Sequence, residues 1–488
     1  MRCRGAGLAA ALSLHCVPGA AAQTPAPEPA PVAALQPPEL RGPSLRASAV
    51  AIPLTAANLP PGAAVELQRL VDGTRWVTIK TVRAARDGTA ALRYSPPTPR
   101  PRYTLRVTSG GLASRALRVR TRPVTLAAFG DVNFGDGVAA VMDLRGTLWP
   151  WQGVARTLRA ADIAFGNLEC AISKRGFAVP KQFNFRGRPE RLARVVRFAG
   201  LDVLNLANNH TGDYGMSALL DTVRAVRDSG AVPVGAGATL AQARRPRVVS
   251  RFGLRVAFVG FSDIGPAWFA AGAGRPGTAF ASTATIAAGV RAARERGDVV
   301  IATFHWGVER STSENARQRA FARAALDAGA TAVIGAHPHV LQPIRRPGEQ
   351  RRRLVAYSLG NFVWSAGSAV TASTGILRLR LSGRGVEGHR LLRAHRRHAA
   401  AAARRLICAR GRPRCDAPAG SARVRRRSPR RTAVAWTSPS CSAHLQLSQR
   451  ASSSSSSATS RPSSTCRPAT RSPRGPRCRS RTLPARRC

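Results

Sequence analysis

Five apolar runs in this 488-residue chain end on side chains that bind metals or move protons. VTLAAFG leads into Asp131, ADIAFG into Asn167 and Glu169, LNLA into Asn208, Asn209 and His210, DVVIATF into His305, and TAVIGA into His337 and His339. Carboxylates, amides and imidazoles together are a donor set for one or two divalent ions. Imidazole suits Zn and Fe while oxygen donors suit Mn and Mg, so residue types leave the metal open. Two ions about 3.5 to 4 Å apart would activate a water and clamp both oxygens of a displacement. His210, titrating near neutrality, is the candidate general acid. A lone histidine is more often a packing residue; agreement among five run ends carries the metal reading.

Such a site needs strands that finish at one edge. Near-continuous apolar runs of this length read as buried strands of an α/β sheet covered on both faces, whose ligand crevice lies beyond the carboxyl ends. Strands are expected at 124–129, 163–166, 202–206, 254–261, 299–304, 331–335, 353–358 and 375–381. Helices are expected at 189–199, 214–229, 283–296 and 315–328. Glycines 130, 166, 212 and 335 fall at strand ends or turns, where backbone freedom is useful. Asn208 is a candidate turn cap, Asp213 a candidate cap for the helix near Tyr214, and Trp306 a candidate wall of the cleft.

The rest of the chain divides by composition. Residues 1–22, with Arg2, Arg4, an apolar centre and Ala20-Ala21-Ala22, read as a secretory signal peptide, which implies an exported or cell-surface protein. Residues 23–43 form a proline-rich linker. Over 44–122, short alternating runs between turns such as VDGT and RDGT predict a small all-β domain of immunoglobulin-like type with Trp76 in its core. The α/β domain spans 123–383. From 384 to 488 the chain is rich in Arg, Ser and Pro and reads as disordered. That tail is either a nucleic-acid- or wall-binding extension or a frameshifted reading of GC-rich coding sequence. The formal charge of +52 comes from 76 basic against 24 acidic residues, and the only lysines are Lys80, Lys174 and Lys181. Such a balance favours polyanions, but without interleaved aromatics nucleic acid ranks last among partners. Of nine cysteines only Cys170 lies in the body, so no disulfide can form within it.

FGDVNFG, FGNLECAIS, LANNHTGDYG, TFHWGVE, IGAHPHVLQPI and YSLGNFVW, in this order, resemble the poly-γ-glutamate capsule biosynthesis family of CapA type, a branch of the calcineurin-like metallophosphoesterase superfamily. The resemblance spans roughly 121–381. It implies a four-layer α/β/β/α sandwich with Asp131, Glu169, Asn209, His305, His337 and His339 as metal ligands. Glu169 would bridge two ions, and His210 would protonate a leaving group or steady charge. Asn133, Asn167, Asn208 and Asn361 would line the substrate side. One departure stands out: the superfamily carries a histidine two residues after the first aspartate, and this chain has Asn133. That substitution weakens one ligand position of the first ion.

Two functions are open to such a chain. One is a metal-dependent hydrolase acting on poly-γ-glutamate, another anionic cell-surface polymer or a phosphoester, working beside capsule-synthesis membrane partners. The other is a surface component that tethers such a polymer through a vestigial metal site.

Overall fold

The computed structural model describes residues 36–349, 351–365 and 367–395. The signal peptide, most of the proline-rich linker and the tail beyond His395 lie outside the described residues.

Two β-sheets open the described chain, antiparallel throughout except that Leu45–Ala47 runs parallel to Leu117–Arg122. Glu39–Arg41, Ile52–Ala57 and Ala90–Tyr94 form one; the other is built on Leu45–Ala47, Leu117–Arg122, Arg102–Ser109, Ala64–Val71 and Arg75–Arg83. Alternation sends Ile52, Leu54, Leu67, Leu105, Val107 and Val119 into a shared core. This unit starts earlier than the linker boundary at 43: Glu39–Arg41 pairs with Thr55–Ala57, and Leu40 is buried. Trp76 is not in that core. It is half-buried on the outer face beneath the Arg106 guanidinium, 4.2 Å from the ring centroid. Arg122 ties the unit to the α/β domain, bonding both oxygens of Asp162 at 2.7 and 2.6 Å over the Phe252 ring.

In that domain strand and helix alternate. The first sheet contains β1 (Val124–Val132), β2 (Ile163–Leu168), β3 (Val203–Asn205) and β4 (Val232–Val234). The second contains β5 (Arg247–Arg251), β6 (Leu254–Ser262), β7 (Val299–His305), β8 (Ala332–Ala336), β9 (Ile344–Arg345) and β10 (Leu354–Ala356). The chain then returns to the first sheet with β11 (Asn361–Val363), β12 (Ser373–Ser382) and β13 (Gly385–His395). Strand order is β4-β3-β2-β1-β12-β13, with β11 beside β1, and β5-β6-β7-β8-β10-β9. Within each sheet the site-bearing neighbours run parallel: β1 with β2, and β7 with β8.

The sheets pack face to face through Leu126, Phe165 and Val203 against Val256, Phe258 and Ile301. Helices α1 (Asp136–Arg145), α2 (Gln152–Arg159), α3 (Pro189–Ala199) and α4 (Gly215–Asp228) bury Met142, Leu158, Leu192 and Val223 with the first sheet's outer side. Helices α5 (Thr283–Arg296) and α6 (Ala316–Asp327) bury Val290 and Phe321 with Phe261 and Phe304 of the second. The order is therefore helix, sheet, sheet, helix. Local signals explain the better-marked helices. Proline opens α3 and left-handed Gly200 closes it, while capping boxes at Ser282 and Asn315 start α5 and α6.

Two further expectations need correction. Residues 385–395 are not disordered but form β13, paired antiparallel with β12. The strand-end glycines serve space rather than backbone freedom. A Cβ on Gly130 would lie 1.8 Å from the Gly360 carbonyl oxygen, and one on Gly166 would lie 1.9 Å from the Phe129 ring. Both residues keep negative φ.

Candidate metal centre

Parallel pairing puts Asp131 of β1 level with Asn167 of β2, and Asn167 level with Asn205 of β3. Asp131 and Glu169 are fully buried at that edge. The Asn167 side-chain amide donates to Asp131 Oδ1 at 2.9 Å and to Glu169 Oε2 at 3.3 Å. Across the sheet interface stand the imidazoles. Glu169 Oε1 lies 3.2 Å from His305 Nε2 and 3.9 Å from His339 Nε2. Asp131 Oδ2 accepts the His337 backbone N–H and lies 3.2 Å from His339 Nδ1. Asn209 Oδ1 accepts from His305 Nε2 at 2.8 Å. The five run ends thus meet at one place.

Within this place, two donor groups each keep their ligand atoms within 4.8 Å of one another: Asp131, Glu169 and His305, and Glu169, His337 and His339. Glu169 belongs to both, which is the arrangement of a bridging carboxylate. The residues fit divalent cations on a second count. Glu169 Oε1 and His337 Nδ1 are buried and lack hydrogen-bond partners, and a buried polar atom left unpaired is costly.

The charges point the same way. Burial and the neighbouring Asp131 carboxylate push Glu169 well above the usual carboxyl range. Burial and the other histidines push His305 far down, and burial with His339 takes His337 to about 3. Burial opposes ionisation of Asp131, yet bonds from His339 and Asn167 hold it below its ordinary value. Burial likewise opposes the charge on His339, but Asp131 outweighs it and raises that imidazole. Neutral imidazoles are the form that ligates a metal, and a cation would remove the conflict between the two carboxylates.

Backbone strain marks the imidazole side. His337 has φ 95° and His339 has φ 59°, a left-handed region that residues with a Cβ seldom enter. Three contacts hold the loop there: the His337 N–H on Asp131, the Arg310 N–H on the Pro338 carbonyl at 2.8 Å, and His339 Nδ1 on Asn361 Oδ1 at 2.9 Å. The last bond fixes the ring so that Nε2 faces Glu169, as an outer partner does for a ligating histidine.

Residues 125–366 match the family described as bacterial capsule synthesis protein PGA_cap. Over 259 residues the chain is 32% identical to the PGA biosynthesis protein CapA of Bacillus subtilis, covering 52% of this chain and 67% of that one. This chain belongs to the CapA-type capsule biosynthesis family. It is also 30% identical to the capsule biosynthesis protein CapA of Bacillus anthracis over 54% of this chain and 65% of that one. To a probable polyglutamine synthesis accessory protein of Mycobacterium tuberculosis it is 33% identical, over 44% of this chain and 59% of that one. The chain thus spans about two thirds, or less, of these relatives.

For a CapA-type chain, several side chains lie elsewhere than their sequence positions suggest. Asn167 and Asn208, expected on the substrate side, lie beneath the centre. Asn167 Oδ1 accepts from Asn205 and Asn208, and Asn208 Oδ1 accepts from the backbone N–H groups of His210 and Thr211. Asn133, also expected there, folds back to accept the Gly135 N–H at 2.7 Å. Trp306 is no cleft wall. It is fully buried, stacked on Phe304, and donates its indole N–H to the Tyr357 carbonyl.

Asp213 does not cap α4, which lacks a side-chain cap. Its Oδ2 instead accepts from His210 Nδ1 at 2.7 Å, and its Oδ1 pairs with Lys181 Nζ at 2.5 Å. Lys181 also donates to the Asn209 carbonyl at 2.6 Å. Phe185 and Trp364 enclose the same spot, Phe185 against His210 at 4.5 Å and Trp364 against His339 at 4.7 Å between ring centroids. Sequence reasoning missed Lys181 as a site residue, although one of only three lysines in an arginine-rich chain was a signal. Asp213, three residues after His210, was a second.

Burial lowers the pKa of His210 even though Asp213 pulls the other way. A lowered value favours the neutral imidazole, whose Nδ1 faces both Asp213 Oδ2 and Lys181 Nζ, the latter at 3.2 Å.

Proposed function

We propose that this protein is an exported, metal-dependent hydrolase of poly-γ-glutamate capsule biosynthesis, acting on the polymer or on another anionic cell-surface substrate. The observation that carries the reading is the sharing of Glu169 by two buried donor groups. Asp131, Glu169, His305, His337 and His339 would hold the ions, with Asn209 a further ligand through its side-chain oxygen. Bound there, divalent ions would supply Lewis acidity toward a carbonyl or phosphoryl oxygen and a water nucleophile at neutral pH.

The protein's own groups do the rest. Asp213 Oδ2 faces His210 Nδ1, and Nε2 takes a proton first and returns it to the leaving group afterwards. Lys181 pairs with Asp213 Oδ1 and holds that buried carboxylate in place. Phe185 and Trp364 limit water around His210 and His339. The capsule role comes from the relatives' names and from family membership. Export comes from the N-terminal residues, and the metallophosphoesterase-like sandwich from the helix, sheet, sheet, helix order. An immunoglobulin-like reading of the β unit draws support from Tyr103, whose hydroxyl donates to the Thr98 carbonyl and accepts the Arg100 N–H at a strand corner.

A second reading keeps the polymer and drops turnover. Asn133 favours it, since its side chain is engaged with its own loop and brings no imidazole to the first ion. Metal analysis of the purified protein, followed by assays on phosphodiesters and poly-γ-glutamate, separates the two. Metal-dependent hydrolysis lost in His210→Ala supports the enzyme; tight polymer binding without turnover, with any metal, sinks it.

A further inference from the structure

Away from the metal centre, a cavity of about 660 Å3 opens between α6 and the β9–β10 hairpin. Arg319, Arg323, Arg345, Arg351, Arg352 and Arg353 line it, against the two carboxylates Asp327 and Glu349. None of its lining residues is a candidate metal ligand. A second depression, of about 410 Å3, is lined by α6 alone and shares Arg319, Arg323 and Asp327 with the first. The two adjoin at these residues and make one two-lobed trough.

We propose that this trough binds a run of carboxylates on an extended polyanion, holding poly-γ-glutamate away from the metal centre. The inference rests on the polymer reading above and extends it to a second site.

Three observations carry it. First, among the described residues Arg319, Arg323, Arg351, Arg352 and Arg353 form no ion pair, whereas Arg345 pairs with Glu314. A guanidinium has a forked set of donors matched to a carboxylate. Second, another basic cavity is half neutralised: of its Lys174, Arg188, Arg191 and Arg194, Lys174 pairs with Glu190 and Arg191 with Asp143, whereas only one of the six arginines here is paired among the described residues. Third, Arg319 and Arg323 stand four apart on α6, where like charges disfavour the helix, and among the described residues the only hydrogen bond from either guanidinium runs from Arg319 to the Glu314 carbonyl. A trough with two lobes suits a chain of charges better than one compact ion.

The test is titration of the full-length, chelator-treated protein with poly-γ-glutamate oligomers, which removes turnover from the readout. In Arg319→Ala/Arg323→Ala, affinity should fall about tenfold or more, as expected for losing two charge-assisted contacts. Both residues are exposed on a helix, where alanine is the better helix former, so the fold should persist. The control Arg188→Ala/Arg194→Ala removes the same charge from the other cavity and should change affinity less than about twofold, within the range of surface charge effects. Equal losses in both variants would mean bulk charge alone and overturn the proposal, as would unchanged binding in the α6 variant. Inorganic phosphate displacing the oligomer at comparable concentration would assign the trough to compact anions and overturn it too. If binding survives the α6 variant while metal-dependent hydrolysis is intact, the trough fails and the hydrolase reading stands. If the wild type binds no polymer, this inference and the polymer substrate fall together.

Discussion

The two sheets of the α/β domain bring unlike chemistry to one edge and hold it by unlike means. The first supplies oxygen donors, Asp131, Glu169 and Asn209, braced by a lattice of amides: Asn205 and Asn208 donate to Asn167, and Asn167 donates to both carboxylates. The second supplies His305, His337 and His339, two of them on left-handed backbone. Hydrogen bonding fixes the oxygen side, while strain offset by a few contacts fixes the imidazole side. Neither sheet is a metal site alone. The facing core, in which Phe165 and Phe258 stack at 5.7 Å, sets the distance between the two donor sets.

The largest effect should come from the residue common to both donor groups. Glu169→Gln removes the shared carboxylate, so bound metal measured by elemental analysis should drop from about two ions per chain to nearly none. His337→Ala touches only one group and should leave about one ion. Should Glu169→Gln retain the full complement, the bridging role is wrong and the two sheets act independently.

Asp213→Asn is the next cut. It keeps every candidate ligand but replaces the carboxylate between His210 and Lys181 with a neutral amide. Metal content should stay whole while hydrolysis falls by about 10²- to 10⁴-fold, the usual worth of a positioned acid or base. A matching loss of metal would move Asp213 from proton positioning to the integrity of the centre.

Weakening the imidazole side from behind should cost less. Asn361→Ala removes one of the two acceptors at His339 Nδ1, leaving Asp131 Oδ2, and metal affinity measured by competition with a chelator should fall about 10- to 100-fold, as for outer partners of ligating histidines. The matching change on the oxygen side, Asn205→Ala, removes one of two donors to Asn167 and should have a smaller effect. If Asn205→Ala proves the more damaging, the amide lattice and not the strained loop is the weaker support.

Legibility in the sequence followed the same division. Apolar runs ending on ligand-type residues marked the strands and both donor sets, and caps and proline marked α3, α5 and α6. Other elements lacked such signals. α1 begins at Gly135 with no side-chain cap, and α2 comes directly after a tight turn at Trp149–Trp151. β13 carries arginines on a strand whose buried anchor is Val386, so composition hid its pairing with β12. The partners of His210 were hidden for another reason. Lys181 reaches Asp213 only because the segment after Ile172 folds back over the crevice, and no local pattern encodes that return.

The smallest expected effect lies where the α/β domain meets the β unit, far from both donor sets. Arg122→Ala removes the bidentate contact to Asp162 and the stacking on Phe252, for a loss of about 1 kcal/mol in denaturant unfolding at neutral pH, near the upper end for a partly exposed pair. Burial of Asp162 opposes its ionisation, but Arg122 and Thr125 more than offset this and hold the carboxyl below its usual range. That lowered value sets the sign. The folded state favours the ionised carboxylate, so the contribution is whole above the unfolded value of about 4 and is lost as pH falls through the lower folded value. Wild type and Arg122→Ala should therefore differ at pH 7 and converge in acid. A gap that persists unchanged to pH 2 would assign the loss to the Phe252 stacking. In either case metal content should not move, because this joint carries the β unit and not the spacing between the two sheets.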